Sequence, residues 1–414
     1  MKMNVMMLKS FFVVLIMLLF SVSPCSACSA GDAGKAKEED GSGLGDNGNV
    51  EEQEEVEQNE EEEEEEEEEE FNEGRRDGSI SDLVLIYGGG AHRDAVWNQN
   101  HFAPYVTYVD RENKEHWLFD GFLLLEFVNN SKIFATGYYN TPANQSDWQW
   151  LADYFFTPNL SIDAIDKQIA EKIKTLDEPP TKRKIVIALP EPIVAGPNSN
   201  YTGLPADYWG SVAGRRLNFT VQNDRIAACK WFIDYVVAKF NERAFDNVEL
   251  AGFYWIAEES RHTQTILASV GEYLEEKDYF FYWIPYWKNT NPDYFKWKDL
   301  GFHYAYLQPN HFFNQSIPYS RLEEACRIAK QYDLDLELEF DMRVFVDRGD
   351  WGDRLYDYMR AFRESGIMEN KRIAYYQDTD ALYHLSRATG AKERQIYHDF
   401  CQFVLEHQYK YNKE

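Results

Sequence analysis

Residues 334–343 read LDLELEFDMR. Successive side chains of a β-strand point to opposite faces, so Leu336, Leu338 and Phe340 share one face while Glu337, Glu339 and Asp341 share the other. The apolar face suits a cover of helices, which turns three acids toward the interior of whatever the strand helps to build. Ionised carboxylates in a low-dielectric interior need partners or must take up protons. A purely structural role for them requires Arg or Lys nearby, and Arg343 and Lys184 are the candidates.

Seven further β-rich apolar runs flank this one: 83–89 (LVLIYGG), 119–127 (FDGFLLLEF), 184–191 (KIVIALPE), 248–258 (VELAGFYWIAE), 279–287 (YFFYWIPYW), 302–308 (FHYAYLQ) and 373–379 (IAYYQDT). Helical patterns fall at 161–175, 219–244, 263–277, 318–332, 350–366 and 394–411; the 3.6-residue period is clearest in Ile226, Cys229, Phe232, Ile233, Val236 and Phe240. Strands alternating with helices predict a parallel sheet, and eight such units predict an α/β fold of the closed (β/α)8 TIM-like type. A doubly wound open sheet is the alternative; it lacks contact between the first and last strands. Weak helical signals at 90–118 and 288–300 predict an irregular barrel. Long segments at 128–160 and 192–218, after the second and third strands, are expected to be loops walling a cleft on the C-terminal face, where barrels bind ligands.

The chain opens with Lys2, Lys9 and an apolar run from Phe11 to Phe20, too short to span a bilayer, so residues 1–28 read as a signal peptide. Cys28, and after it Cys25, stand where a lipoprotein carries its lipidated cysteine, and GDAGKAKEEDG after them resembles the acidic export signal of Bacteroidetes surface lipoproteins. Cleavage at Ala27 or Ala30 with plain secretion is the alternative. Residues 29–81 include eleven consecutive glutamates at 60–70 and read as a disordered acidic tether, leaving 82–414 as one barrel domain. The expected location is the outer membrane, by lipid anchor, at the cell surface or in the periplasm.

The net charge is -29, of which residues 31–77 carry -19. No basic patch remains to release counterions from phosphates, so nucleic acid is excluded as a partner and a highly anionic polymer is disfavoured. Cys229, Cys326 and Cys401 lie within apolar helical patterns and read as core. No cofactor or metal is expected: GGGAHRD after the first strand lacks both phosphate-loop patterns, and neither HExxH nor GxSxG occurs.

The fourth run ends Trp255-Ile-Ala-Glu258-Glu259, setting carboxyls on the rim across from those of the seventh. Two carboxyls facing across a cleft are the equipment for glycoside hydrolysis. These strands resemble the large glycosidase clan of (β/α)8 barrels, whose acid/base and nucleophile sit at the ends of strands four and seven. The resemblance implies Glu258 as acid/base and Glu339 as nucleophile of a retaining hydrolase, with Glu259 and Glu337 as understudies. The clan's Asn-Glu pair is here Ala257-Glu258, a departure that leaves the partner for a substrate 2-hydroxyl unassigned. Gly252 beneath Glu258 is expected to leave room at the barrel axis. Trp255, Trp209, Tyr254 and Trp287 are candidate sugar platforms; Gln308, Asn310, Asp341, Glu191, Asp378 and Asp120 are candidate hydroxyl-orienting groups.

WGSVAGRRLNF at 209–219, LAGFYW at 250–255 with Glu258, and the helix at 225–240 resemble the domain-of-unknown-function family numbered 4855 over about residues 82–410. That resemblance implies a TIM-like barrel related to glycosidases and the company of polysaccharide-degrading proteins. The expected activity is hydrolysis of an oligo- or polysaccharide; the alternative is a cell-surface lipoprotein that binds glycan without cleaving it.

Overall fold

The computed structural model describes residues 78–138, 140–287 and 293–412. Eight strands, β1 (Asp82–Tyr87), β2 (Gly121–Leu125), β3 (Arg183–Leu189), β4 (Val248–Trp255), β5 (Phe280–Trp283), β6 (Tyr304–Leu307), β7 (Asp335–Glu339) and β8 (Ile373–Tyr376), pair in parallel in chain order. β8 closes on β1, with Asp82 opposite Ile373 and Val84 opposite Tyr375. The fold is therefore a closed (β/α)8 TIM-like barrel, and the open sheet is ruled out. One strand falls on each of the eight runs read from the sequence, β1 and β3 beginning one residue earlier than theirs.

The helices are α1 (Gln99–Val106), α2 (Gln145–Phe155), α3 (Ser161–Ile173), α4 (Gln222–Arg243), α5 (Gln264–Glu275), α6 (Ser320–Gln331), α7 (Gly352–Glu364), α8 (Ile367–Asn370), α9 (Ala381–Ser386) and α10 (Ala391–Tyr411). Six of them fall on the predicted helical patterns. α2 occupies part of the expected 128–160 loop: a capping box of Asn144 and Asp147 starts it, and Trp148, Leu151, Ala152 and Phe155 form its buried stripe. The rest of that segment pairs residues 128–129, 132–133 and 141–142 into a small sheet. The 90–118 crossover contains α1, capped by the Asn98 side chain, and a hairpin of Thr107–Val109 with Glu115–Trp117. The 288–300 crossover carries only a 3-10 turn, Asp293–Lys296, among its described residues.

Gly252 has a different reason from the one expected. The pairing of β4 with β3 shifts register between Leu250 and Gly252, and a Cβ on Gly252 would meet the Phe280 carbonyl oxygen at 2.0 Å. The glycine is required by the close approach of the β5 backbone, not by space at the axis.

At the base, residues 78–81, assigned above to the tether, are part of the barrel. The Gly78 carbonyl accepts from the Tyr282 hydroxyl at 2.7 Å, Ile80 is fully buried, and the Ser81 and Asp82 amides donate to Asp120 at 2.9 and 2.8 Å. Asp120 is thus a structural group at the N-terminal end of the staves. Residues 1–77, read from the sequence as signal peptide and tether and including Cys25 and Cys28, lie outside the described residues.

Candidate active site

β7 does turn its acids inward, in three steps from base to mouth. Asp335, lowest, accepts from the Arg372 amide at 2.8 Å and faces the Arg372 guanidinium at 3.5 Å. Glu337 follows, and Glu339 ends the strand. Asp341 does not continue the series, because the strand ends at Glu339 and the chain turns at Asp341. Asp341 instead caps a 3-10 turn, Met342–Val344, and holds Arg343 by a bidentate ion pair, with contacts of 3.0 and 2.6 Å. Lys184, the other cation considered, pairs with Glu249. Neither cation serves Glu337 or Glu339.

Glu339 is held from two sides. Asn310, after β6, adopts a left-handed conformation (φ 50°) that aims its amide N–H at the Glu339 carboxylate, 2.7 Å away. From α7, the Tyr358 hydroxyl donates to the same oxygen and itself accepts the His311 amide at 3.0 Å. His311 is buried against Asp357 (3.1 Å), and burial, with Arg354 nearby, pulls its imidazole down to about 4, so it stays neutral at pH 7. Tyr358 was not singled out in the sequence, where it reads as one more apolar position on the buried face of α7.

Glu258, after β4, has one side-chain partner, the Gln308 amide, whose nitrogen also donates to the Ile284 carbonyl at 3.0 Å. Burial raises the Glu258 carboxyl to about 7 against the pull of Gln308, and Glu259 adds to the rise. Burial likewise raises Glu339 to about 7, opposed by Tyr358 and Asn310 and assisted by the charge of Glu258. Glu337 is raised well above the carboxylate range by burial and by Glu339 and Glu258. Glu258, Glu337 and Glu339 therefore lie within one another's electrostatic reach inside the mouth. Glu259 does not join them: it points outward and pairs with Arg261 at 2.7 Å.

The aromatic walls are tyrosines. The charge of Glu258 reaches Tyr254 and Tyr138, that of Glu337 reaches Tyr254, Tyr87 and Tyr376, and Tyr376 stands opposite Glu339 in the β7–β8 register. Tyr286 accepts from the Asn310 side chain at 2.8 Å. The tryptophans named from sequence play another part. Trp255 is 0% exposed and packs edge-on against Phe281, because its parity in β4 is opposite to that of Tyr254. Trp209 is 2% exposed, wedged between Trp148 and Trp231. Trp287 lies under the Arg321 guanidinium, 3.4 Å from the ring centroid, so that face is covered. Glu191 is buried and latches the β2 loop by accepting the Thr136 amide at 2.6 Å.

On the far rim Arg93 binds Glu126 through Nε (2.5 Å) and Nη2 (3.2 Å), donates to Thr379 at 2.7 Å and rests on the Tyr87 ring at 4.4 Å. Asp378 lies 3.9 Å from Arg93. A Cβ on Gly90 would meet Glu126 at 2.4 Å, so the last of the three glycines after β1 serves the approach of that carboxylate to the Gly90 amide. Arg93 and Glu126 escaped the sequence reading because nothing in their local pattern pairs them. Among the described residues no group of three or more His, Cys, Asp or Glu is arranged to hold a metal ion.

The family described as "Domain of unknown function (DUF4855)" matches residues 82–402. The chain belongs to this family. No curated protein matches it. Solved structures similar to this DUF4855 barrel include a family 18 chitinase from Crocus vernus, at 11% identity and TM-score 0.40, covering 78% of this chain and 99% of that one. The catalytic domain of a family GH18 chitinase from the fern Peteris ryukyuensis is similar at 10% identity and TM-score 0.40, with the same coverage. A tryptophan synthase α-subunit mutant from Pyrococcus furiosus is similar at 10% identity and TM-score 0.34, covering 80% of this chain and 99% of that one.

Proposed function

We propose that this DUF4855 protein is a retaining glycoside hydrolase in which Glu258 is the acid/base and Glu339 the nucleophile. One observation carries the proposal: two carboxyls from β4 and β7 meet in the mouth with unequal partners. Glu339 receives the Tyr358 hydroxyl and the Asn310 amide, which favour its ionised form, while Glu258 has the Gln308 amide alone. In the first step Glu339 attacks the anomeric carbon as Glu258 gives its proton to the departing glycosidic oxygen. In the second, Glu258 takes a proton from water, the water oxygen bonds to the anomeric carbon, and the Glu339 ester breaks. Tyr87, Tyr254 and Tyr376 offer ring faces and hydroxyls to the sugar. Surface display by a lipid anchor at Cys28 or Cys25, toward an oligo- or polysaccharide, belongs to the same proposal and rests on the sequence of residues 1–77.

The test is a panel of plant and host glycans with wild type, Glu258→Gln and Glu339→Gln. Hydrolysis of at least one glycan is expected, with retention at the anomeric carbon by NMR. Glu258→Gln should slow it by about 10²–10⁴-fold, the range for a lost general acid, and Glu339→Gln should reduce it to background. Binding without products on every glycan would instead support a non-catalytic lectin-like role.

A further inference from the structure

Three carboxyls share the mouth, and the cations around them are engaged elsewhere. Among the described residues, Arg93 binds Glu126, Arg343 binds Asp341 and Arg261 binds Glu259. Arg321 lies flat on Trp287 at the rim. Glu337 is the most isolated of the three. It is 2% exposed, sits one pleat below Glu339, and no described residue hydrogen-bonds to it. A buried carboxyl with no partner is costly, so a group that fills the place is expected to bring charge or donors of its own.

The surroundings narrow the choice. Tyr376 stands opposite Glu339 in the β7–β8 register, one pleat above Glu337, and meets Tyr87 edge to face at 5.7 Å between centroids, while the charge of Glu337 reaches Tyr87, Tyr254 and Tyr376. The hydroxyls of Tyr87, Tyr138, Tyr254 and Tyr376 have no hydrogen-bond partner among the described residues. One face of Tyr87 is taken by the Arg93 guanidinium, as one face of Trp287 is by Arg321. Ring faces, phenolic oxygens and a carboxylate together satisfy a group that has several N–H donors, a positive charge and no acceptor, which is an ammonium.

We propose that the mouth selects a sugar bearing a free amine, with its ammonium seated against Glu337 inside the ring of Tyr87, Tyr254 and Tyr376. This rests on the reading of the mouth as a glycan site and names the class of glycan. The groups facing Glu337 are Glu339, Glu258, Tyr87, Tyr254, Tyr358 and Tyr376. Burial and the charges of Glu339 and Glu258 raise the Glu337 carboxyl, and an arriving ammonium opposes that rise, so its binding favours release of a proton. Selectivity and proton release are thus two faces of one event.

Calorimetric titration of the full chain at pH 7, in two buffers of different ionisation enthalpy, tests this with glucosamine, galactosamine and mannosamine against glucose, galactose and mannose. At least one amine should bind about tenfold more tightly than its parent hexose and release protons that the hexose does not. In Glu337→Gln the preference should fall to about even and the proton release vanish; Glu337→Met, checked for folding by thermal melting, should do the same. Equal or absent binding across all three pairs overturns the proposal. So does a preference that survives both variants, or tighter binding of glucuronate or galacturonate, which would assign selectivity to Arg321. If neither variant folds, an amine preference without proton release in the wild type overturns it alone. Amine selectivity without hydrolysis of any glycan leaves this inference standing and removes the hydrolase; hydrolysis of neutral glycans only does the reverse.

Discussion

Tyr358 shows how much of the site depends on one hydroxyl contributed by a helix. It donates to Glu339, and that bond pulls the Glu339 carboxyl down against burial. In Tyr358→Phe the pull is lost, so Glu339 takes up its proton at higher pH. The acid limb of the pH profile of kcat/KM is expected to move upward, with activity at pH 6 falling more than at pH 8. A hydrogen bond to a charged group is worth about 1.5–3 kcal/mol, or roughly ten- to a hundredfold in rate. A fall in rate with an unmoved limb would make Tyr358 a packing residue only. The residue scale is also where the sequence was read unevenly. Alternation in LDLELEFD located Glu337 and Glu339 because period 2 assigns faces directly. It failed at Asp341, where the strand had ended, and the same parity applied to LAGFYW would have turned Trp255 outward. What Tyr358 does with its hydroxyl has no trace in a helical pattern.

At the scale of elements, α10 is clasped to β1 by a buried pair. His407 and Asp82 are fully buried; Nδ1 of His407 lies 2.8 Å from Asp82, and Nε2 lies 2.9 Å from the Lys371 carbonyl. A carbonyl can only accept, so Nε2 donates to it, and the protonated ring donates at both nitrogens. Burial alone would lower the imidazole, but Asp82 and the Lys371 carbonyl together raise it. A raised folded value stabilises the barrel fully below the unfolded value of about 6.5, and the contribution fades as pH climbs through the folded value. Urea unfolding should therefore find wild type ahead of His407→Gln by about 1.5–3 kcal/mol at pH 6, with a smaller margin at pH 9. An equal margin at both pH values would mean that the ring is clasped neutral. Elements themselves were largely legible: every stave and six helices follow from periodicity. α2 was missed although its signals were present, Asn144 and Asp147 as caps and an apolar stripe at 148, 151, 152 and 155, because the Asn, Pro and Gly residues before it read as loop. The fifth crossover was rightly expected to be irregular, since no 3.6-residue period runs through it.

For the whole molecule, composition separates two kinds of chain at a boundary that the structure moves by four residues. A run of glutamates repels itself and buries nothing, so residues up to 77 are expected to add nothing to the stability of the barrel. Residues 78–81 are polar and small except for Ile80, which is why composition assigned them to the tether; their burial depends on the far staves β2 and β5, which no local window contains. Ile80 is fully buried, and a Cβ on Gly121 would meet its side chain at 2.3 Å, so it fills the space that the β2 glycine leaves. A chain beginning at Gly78 should melt with the full chain. A chain beginning at Asp82 loses the Ile80 side chain, the acceptor of the buried Tyr282 hydroxyl and one of the two amides on Asp120. Loss of a buried isoleucine alone costs about 2–5 kcal/mol, so a clear drop in melting temperature is expected between the two truncations and almost none above. If instead the melting temperature falls on removal of residues 29–77, the acidic segment makes stabilising contacts that its composition does not foretell; if it holds down to Asp82, the base of the barrel closes without Ile80.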